Sequence, residues 1–118
     1  MICDFGDVII VPFPFVERPI NKRRPALVLT SEAFNDSNGQ SVLLMITTGA
    51  GSTWPSDIEI GDRRSAGLLH RCLIRWKAFT LPNDAIVQRI GRLSEPDLEA
   101  VRRSTRNWLA PSGEAVPN

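Results

Sequence analysis

Cysteine and histidine are scarce in this sequence: its 118 residues include only Cys3, Cys72 and a single histidine, His70. Two cysteines so far apart frame neither a disulfide scaffold nor a zinc site. One histidine excludes any mechanism that needs a histidine pair. The sequence therefore predicts a protein that works without a metal ion or another cofactor.

Long hydrophobic runs are also missing. The apolar stretch 8–16 is short, is interrupted by Pro12 and Pro14, and follows two aspartates. Such a stretch makes neither a signal peptide nor a transmembrane helix. We therefore expect a soluble, cytoplasmic protein with no membrane partner.

The length and the composition fit one small domain. Hydrophobic residues make up 42% of the chain and charged residues 23%, which is typical of neither disordered nor membrane proteins. We expect this domain to span residues 1–109. Residues 110–118 are rich in proline, glycine and serine and predict a disordered tail.

Lysine is rare too, because 12 of the 14 basic residues are arginine. Residues 17–24 hold four basic residues against one acid, and residues 62–77 hold five against one. Residues 25–61, between these segments, carry four acids and no basic residue. Arginine binds phosphate bidentately, whereas lysine acts as a point charge. The distribution suggests one localised anion site; solvated loop charges are the alternative explanation.

Short apolar runs separated by turn residues predict a mainly β protein. The segment Asn35–Gln40, which contains Asn38-Gly39, predicts a turn. Alternation within 57–60 places its acids outward and its isoleucines inward. The predicted strands are residues 8–11, 26–29, 42–47, 57–60, 68–77 and 85–90, with 85–93 as a longer version of the last.

Only the end of the chain has a helical pattern. Ser94 is an N-cap candidate, with Pro96 in the first turn and Asp97 three residues after the cap. Apolar or weakly polar residues then recur at helical spacing: Leu98, Val101, Thr105, Trp108 and Leu109. The sequence thus predicts five or six antiparallel strands followed by one C-terminal helix.

Arg24 is the first candidate for a functional residue. Pro25 biases it towards an extended backbone at the entrance of the strand 26–29. An arginine fixed there is well placed to hold a phosphate. The alternative is a surface arginine that pairs with Glu17 or Glu59.

Thr47 and Thr48 end a predicted strand and precede a loop of small residues, 49–52. Their hydroxyls can donate to a phosphoryl oxygen or to an attacking 2′-OH, with help from N–H groups of the loop. Threonine is also common in strands, which is the plainer explanation of the pair.

The predicted strand 68–77 places Arg71 and Arg75 on one face and His70 on the other. The face of His70 is otherwise apolar, so we expect this histidine to pack in the core. The Cα atoms of the two arginines lie ~13 Å apart at ~3.3 Å per residue, which fits two positions along a nucleic-acid strand. Trp54, in the preceding loop, can stack on a base or cover the end of a barrel.

Six short blocks, in their order along the chain, resemble the MazF/PemK toxins of bacterial toxin–antitoxin pairs. The resemblance covers about residues 5–109, and its specificity comes from the order of the blocks, because each is weak alone. The blocks are Gly6-Asp7-Val8, Lys22–Leu29, Ile46-Thr47-Thr48, Trp54–Ile60, Ala66–Leu69 and Arg89–Ser94.

This resemblance implies a small SH3-like antiparallel β-barrel of the CcdB/MazF type with a C-terminal α-helix, usually as a homodimer. It implies metal-independent, sequence-specific cleavage of single-stranded mRNA, held off by a cognate antitoxin. Arg24 and Thr47 match the family's catalytic arginine and threonine, and Thr48 matches a neighbouring hydroxyl that holds the substrate. The other RNA-binding candidates are Arg23, Trp54, Arg71 and Arg75. An acidic, partly disordered antitoxin is expected to cover Arg24 and Arg71.

The sequence departs from the family where PemK-type members carry an Arg-x-Asp pair. Leucine follows two residues after Arg71, and an alignment shifted to Arg75 puts Cys72 in place of the aspartate. The carboxylate is missing either way, and arginine and threonine are poor bases. The base is therefore Glu17, His70 or solvent. Histidine is the better base by residue type, but the expected inward position of His70 counts against it.

The sequence is compatible with two other functions. CcdB toxins resemble this barrel but trap DNA gyrase through their C-terminal helix, and Trp108-Leu109 superficially resembles such a binding end. A toxin that traps gyrase does not need Arg24 and Thr47, which counts against this function. The other possibility is a degenerate member that binds RNA or antitoxin but no longer cleaves.

Overall fold

The computed structural model describes residues 1–12 and 22–110. Glu17 and residues 111–118 of the predicted tail lie outside the described residues. Within them, no helix is both long enough and apolar enough to cross a membrane.

Six antiparallel strands form one sheet in the order β4-β5-β3-β2-β1-β6. The sheet curls into a half-barrel whose edges are β4 and β6. This confirms the predicted mainly β, barrel-like fold with a C-terminal helix. The strands are β1 (Asp7–Pro12), β2 (Arg23–Val28), β3 (Gln40–Thr47), β4 (Ile58–Glu59), β5 (Leu73–Pro82) and β6 (Gln88–Arg92).

Apolar residues cover both faces of the central strands, because successive side chains of a strand point to opposite faces. Leu27 belongs to a core that the C-terminal helix closes, whereas Ala26 and Val28 belong to a second core on the other face. The first core also buries Val8, Leu44, Ile74, Leu98 and Val101; the second also buries Cys3, Ile9, Val11, Leu43 and Ile86.

The predicted C-terminal helix is present as α3 (Glu95–Trp108), the last of three α-helices in the described residues, and Ser94 is its N-cap residue. Asp97 joins its first turn to the chain before β5. Its two carboxylate oxygens accept the N–H groups of Gly61 and Asp62, each at 2.9 Å. The hydroxyl of Ser94 donates to the same carboxylate at 3.2 Å. The acid predicted as a capping residue therefore holds a loop rather than the helix end.

Two short helices replace structure that the sequence pattern predicted differently. The turn predicted at Asn35–Gln40 is wrong for residues 35–38, because α1 (Glu32–Asn38) begins after Ser31, whose hydroxyl accepts the N–H of Phe34. Gly39, with a left-handed φ of 65°, ends this helix.

The second short helix, α2 (Arg63–Ala66), precedes the long strand β5. Gly67 ends it with φ 74°, and a Cβ there would lie only 2.1 Å from the carbonyl oxygen of Ile90. The chain then turns, so that β5 begins at Leu73 and runs to Pro82. The strand predicted at 68–77 is therefore wrong for its first five residues.

Candidate active site

Arg24 and Thr47 lie on two neighbouring strands, β2 and β3. β2 and β3 pair with Ala26 opposite Met45. The paired positions end there, and Arg24 and Thr47 lie two residues further along their strands, at the same end of the sheet. Both residues are partly exposed. The arginine at the entrance of one strand and the threonine at the end of another thus occupy the same end of the sheet.

A cavity of about 360 Å³ opens at this end of the sheet. It contains three cationic side chains and two hydroxyls, a combination suited to a phosphate group. Four predicted site residues and one further cation meet there: Arg24, Thr47, Thr48, Arg75 and Lys77. The rest of the lining comes from Pro25, Met45, Ile46, Ala50 and Cys72.

The two threonine hydroxyls are fixed by the loop that follows them. Thr47 Oγ1 accepts the N–H of Gly49 at 3.2 Å, and Thr48 Oγ1 accepts the N–H of Ala50 at 3.4 Å. These contacts use the oxygen as acceptor, so the hydroxyl hydrogen of each threonine can still be donated to a bound anion. Gly49 has a φ of 77°, and a Cβ there would lie 2.8 Å from Leu73.

Asp57, a carboxylate that sequence reasoning did not select, holds Arg75. The Nε and Nη2 atoms of Arg75 donate to the two oxygens of Asp57 at 3.1 and 2.9 Å, and Nη2 also donates to the carbonyl of Ser52 at 3.0 Å. The Asp57 side chain is 5% exposed. The hydrogen bonds from Arg75 hold the pKa of Asp57 below its usual range.

The register of β4 and β5 explains why Asp57 meets Arg75. β4 and β5 pair with Ile58 opposite Ile74, so the same register puts Asp57 opposite Arg75. Opposite charges at facing positions of two strands attract each other. The outward alternation predicted for 57–60 therefore points Asp57 at a partner rather than into water.

Trp54 lies beside the cavity through its contact with Arg75. The guanidinium carbon of Arg75 is 5.0 Å from the centroid of the Trp54 ring. The backbone N–H of Trp54 donates to the carboxylate of Asp57 at 2.8 Å. The residue is 40% exposed, so much of its surface can still be reached from solvent.

Three predicted site residues in the described part of the chain lie outside the cavity lining and are exposed to solvent: Arg23, His70 and Arg71. The prediction that His70 packs in the core is wrong, because the strand begins at Leu73 and leaves His70 in a bend. Arg71 pairs with Glu59 at 2.9 Å on the surface. Glu17, the other candidate base, lies outside the described residues.

The described lining of the cavity contains neither a carboxylate nor a histidine. Within residues 1–12 and 22–110, no group of three His, Cys, Asp or Glu side chains could hold a metal ion. Cys72 is part of the lining, but burial raises the pKa of its thiol, which keeps it protonated and weakly nucleophilic at neutral pH. The described groups can bind and polarise an anion through cations and hydroxyl donors.

The sequence matches the family model described as "PemK-like, MazF-like toxin of type II toxin-antitoxin system" over residues 4–109. The chain belongs to this family. The resemblance predicted from the six sequence blocks is thereby confirmed. No curated protein matches the sequence.

The fold of this PemK-like, MazF-like toxin is similar to solved toxin structures. A MazE–MazF complex from Deinococcus radiodurans is 18% identical, with a TM-score of 0.75 over 95% of this chain and 100% of that chain. An endoribonuclease from a Mycobacterial species, in complex with its cognate antitoxin, is 15% identical, with a TM-score of 0.72 over 94% and 96%. The Mycobacterium tuberculosis toxin MazF-mt6 is 19% identical, with a TM-score of 0.70 over 90% and 98%. At these identities the likeness shows a common fold.

Proposed function

We propose that this toxin is a metal-independent endoribonuclease that cleaves single-stranded mRNA at a specific sequence. The observation that carries the proposal is the cationic cavity that Arg24, Thr47 and Thr48 line together. The family match supports it, and so does the similarity to a structure named as an endoribonuclease.

The chemistry proposed is attack by the 2′-OH of RNA on its own adjacent phosphorus. A new bond forms between the 2′-oxygen and phosphorus, the bond to the 5′-oxygen breaks, and the products carry a 2′,3′-cyclic phosphate and a 5′-OH. Arg24 stabilises the negative charge of the pentacovalent intermediate. The hydroxyls of Thr47 and Thr48 orient the 2′-OH and the phosphate.

Two protons must move in this reaction, from the 2′-OH to a base and from an acid to the leaving 5′-oxygen. His70 lies outside the cavity lining, which favours Glu17 or solvent as the base. Positioning and charge stabilisation alone can supply a large part of the acceleration.

The remaining proposed roles concern partners. Arg23, Trp54, Arg71 and Arg75 would hold the single-stranded RNA on either side of the cleaved linkage. A cognate antitoxin with an acidic segment would inhibit the toxin by covering Arg24 and Arg71. The active species would be a homodimer in the cytoplasm, where mRNA is available.

The proposal is tested with purified protein and a long single-stranded RNA in EDTA. We expect discrete fragments whose 5′ ends carry hydroxyl groups. Intact RNA from a protein that is still toxic when expressed would contradict the proposal. It would favour a protein target such as DNA gyrase, for which the exposed Trp108 and Leu109 at the end of α3 offer a binding surface.

A further inference from the structure

We propose that Asp57 is a positioning residue: it locks Arg75 against the Trp54 ring and so holds that ring as a preformed platform on which a nucleobase next to the cleaved linkage stacks. This inference rests on the proposed ribonuclease function. It assigns Arg75 to the support of a base-binding surface rather than to the phosphate.

Asp57 uses both carboxylate oxygens to hold the two residues of the platform. Oδ1 accepts from Arg75 Nε, and Oδ2 accepts from Arg75 Nη2 and from the backbone N–H of Trp54 at 2.8 Å. The N–H of Asp57 donates to the Trp54 carbonyl at 2.9 Å, which closes the segment into a turn. Because this carboxylate is almost completely buried, its loss leaves the guanidinium and an N–H group without their acceptor.

Arg75 is oriented by protein contacts before any substrate binds. Three of its five N–H donors are committed to Asp57 and to the Ser52 carbonyl. Its guanidinium lies over the ring of Trp54, and its side chain is only 13% exposed. The Nε and Nη2 edge of its guanidinium, which could hold a phosphate bidentately, is instead occupied by Asp57.

Trp54 combines a fixed ring with an accessible surface. Arg75 packs against the ring, yet the residue remains 40% exposed beside a cavity that contains cations and hydroxyls. Aromatic side chains next to cationic grooves bind single-stranded nucleic acid by stacking, with little dependence on base identity. A ring held in place before binding loses less conformational freedom when a base arrives.

The test compares Asp57→Asn with Glu99→Gln, which removes the charge of another arginine-paired carboxylate, on α3 and away from the cavity. The protein is labelled with 5-fluorotryptophan, whose three ¹⁹F resonances are assigned with Trp54→Phe. We expect Asp57→Asn to shift the Trp54 resonance before RNA is added, and Glu99→Gln to leave it unchanged. An unchanged Trp54 resonance in Asp57→Asn would overturn the proposed role of Asp57.

RNA binding is measured with a random-sequence 12-nucleotide RNA in which every ribose is 2′-O-methylated, so that it cannot be cleaved. We expect Trp54→Leu to raise Kd roughly 10- to 100-fold and Trp54→Phe to raise it less. Asp57→Asn should raise Kd about 5-fold. Since Trp54 carries no charge and would not touch phosphate, Trp54→Leu should leave the slope of log Kd against log salt as in the wild type, whereas loss of one phosphate contact lowers it by about 0.7.

Cleavage kinetics separate this inference from the proposed function. We expect Asp57→Asn to raise KM with kcat within about twofold of wild type, because the platform binds substrate without touching the reacting atoms. If the wild type neither cuts nor binds RNA, the proposed function fails first, and the platform has no substrate to bind. If the wild type cuts and Trp54→Leu binds and cuts equally well, the platform alone is overturned. Trp54→Leu keeps the Asp57–Arg75 pair, so this result is informative even if Asp57→Asn does not fold.

Discussion

At the residue scale, the shape of the Arg24 side chain matters as much as its charge. A guanidinium presents several N–H donors in one plane, whereas an ammonium is a point charge on a flexible stem. We therefore expect Arg24→Lys to keep RNA binding within a few-fold but to lower kcat by about 10²-fold, the typical loss when one donor to a developing oxyanion is misplaced. Single-turnover rates at saturating RNA measure this. Equal single-turnover rates for wild type and Arg24→Lys would contradict a geometric role for Arg24.

Asp57 gives a second residue-scale prediction, for stability against pH. Hydrogen bonds from Arg75 lower the pKa of Asp57 in the folded state. Its contribution is therefore fully present above the unfolded-state pKa of about 3.9 and is lost as the pH falls through the lower folded-state value. We expect Asp57→Asn to lower the free energy of unfolding by about 2 kcal/mol at pH 7.

The check is urea unfolding of wild type and Asp57→Asn between pH 7 and pH 2.5. The difference in the free energy of unfolding between the two proteins should be constant from pH 7 to about pH 5 and should shrink below pH 4. A difference that grew on acidification would contradict the assignment of the low pKa to Asp57.

The sequence predicts Arg24 and Thr47 as site residues from signals within one strand, whereas Asp57 depends on the pairing of two strands. Arg24 and Thr47 are marked by a following proline and by a strand end, which are local signals. Asp57 is important because the register puts it opposite Arg75, and no local pattern contains that register. The prediction that His70 points inward fails because the predicted strand 68–77 begins five residues too early; β5 begins at Leu73.

At the element scale, Gly67 joins α2 to β6 and gives a third prediction. It has a left-handed φ of 74°, and a Cβ there would lie 2.1 Å from the carbonyl oxygen of Ile90. Gly39 is a matched control, because its φ is 65° and nothing lies within 4 Å of its Cβ position. We expect Gly39→Ala to cost about 1 kcal/mol for backbone strain alone.

Gly67→Ala carries the same strain plus a backbone displacement, so we expect it to cost about 3 kcal/mol or more. Urea unfolding of the two variants under the same conditions measures the loss in the free energy of unfolding for each. Equal losses in the two variants would show that the close approach of Gly67 to β6 does not constrain the fold.

Strand predictions agree with the structure where apolar runs are continuous. The sequence pattern did not predict the short helices, because their formation depends on capping residues. β2 and β3 contain buried runs that predict strands directly. α1 has only seven residues, and its formation depends on the Ser31 cap and the left-handed Gly39. A Ser cap and an Asn-Gly pair are equally typical of turns, so the sequence alone could not separate the two.

At the scale of the whole molecule, we expect residues 1–109 to form the complete domain. The last buried residue of α3 is Ser104, whose hydroxyl accepts the Trp76 indole N–H at 2.6 Å. Deletion of residues 111–118 should therefore change Tm by less than about 2 °C. Deletion from residue 101 onward removes the buried Val101 and should prevent folding, so that no cooperative unfolding transition is seen. Thermal scans by circular dichroism compare the two, and a large loss from the shorter deletion would contradict this domain boundary.

The central claim is that the cavity at Arg24 and Thr47 cleaves RNA through its own 2′-OH. It is tested most directly by the rate at which one RNA is cut in EDTA, with and without a single 2′-deoxy ribose at the mapped cleavage position. The protein is wild type, Arg24→Ala, or Arg103→Ala, which removes an exposed arginine of α3. We predict full cleavage by wild type and Arg103→Ala, a loss of 10²-fold or more in Arg24→Ala, and no cleavage of the deoxy RNA by any of them. Cleavage of the deoxy RNA, or equal rates for Arg24→Ala and Arg103→Ala, would contradict the claim.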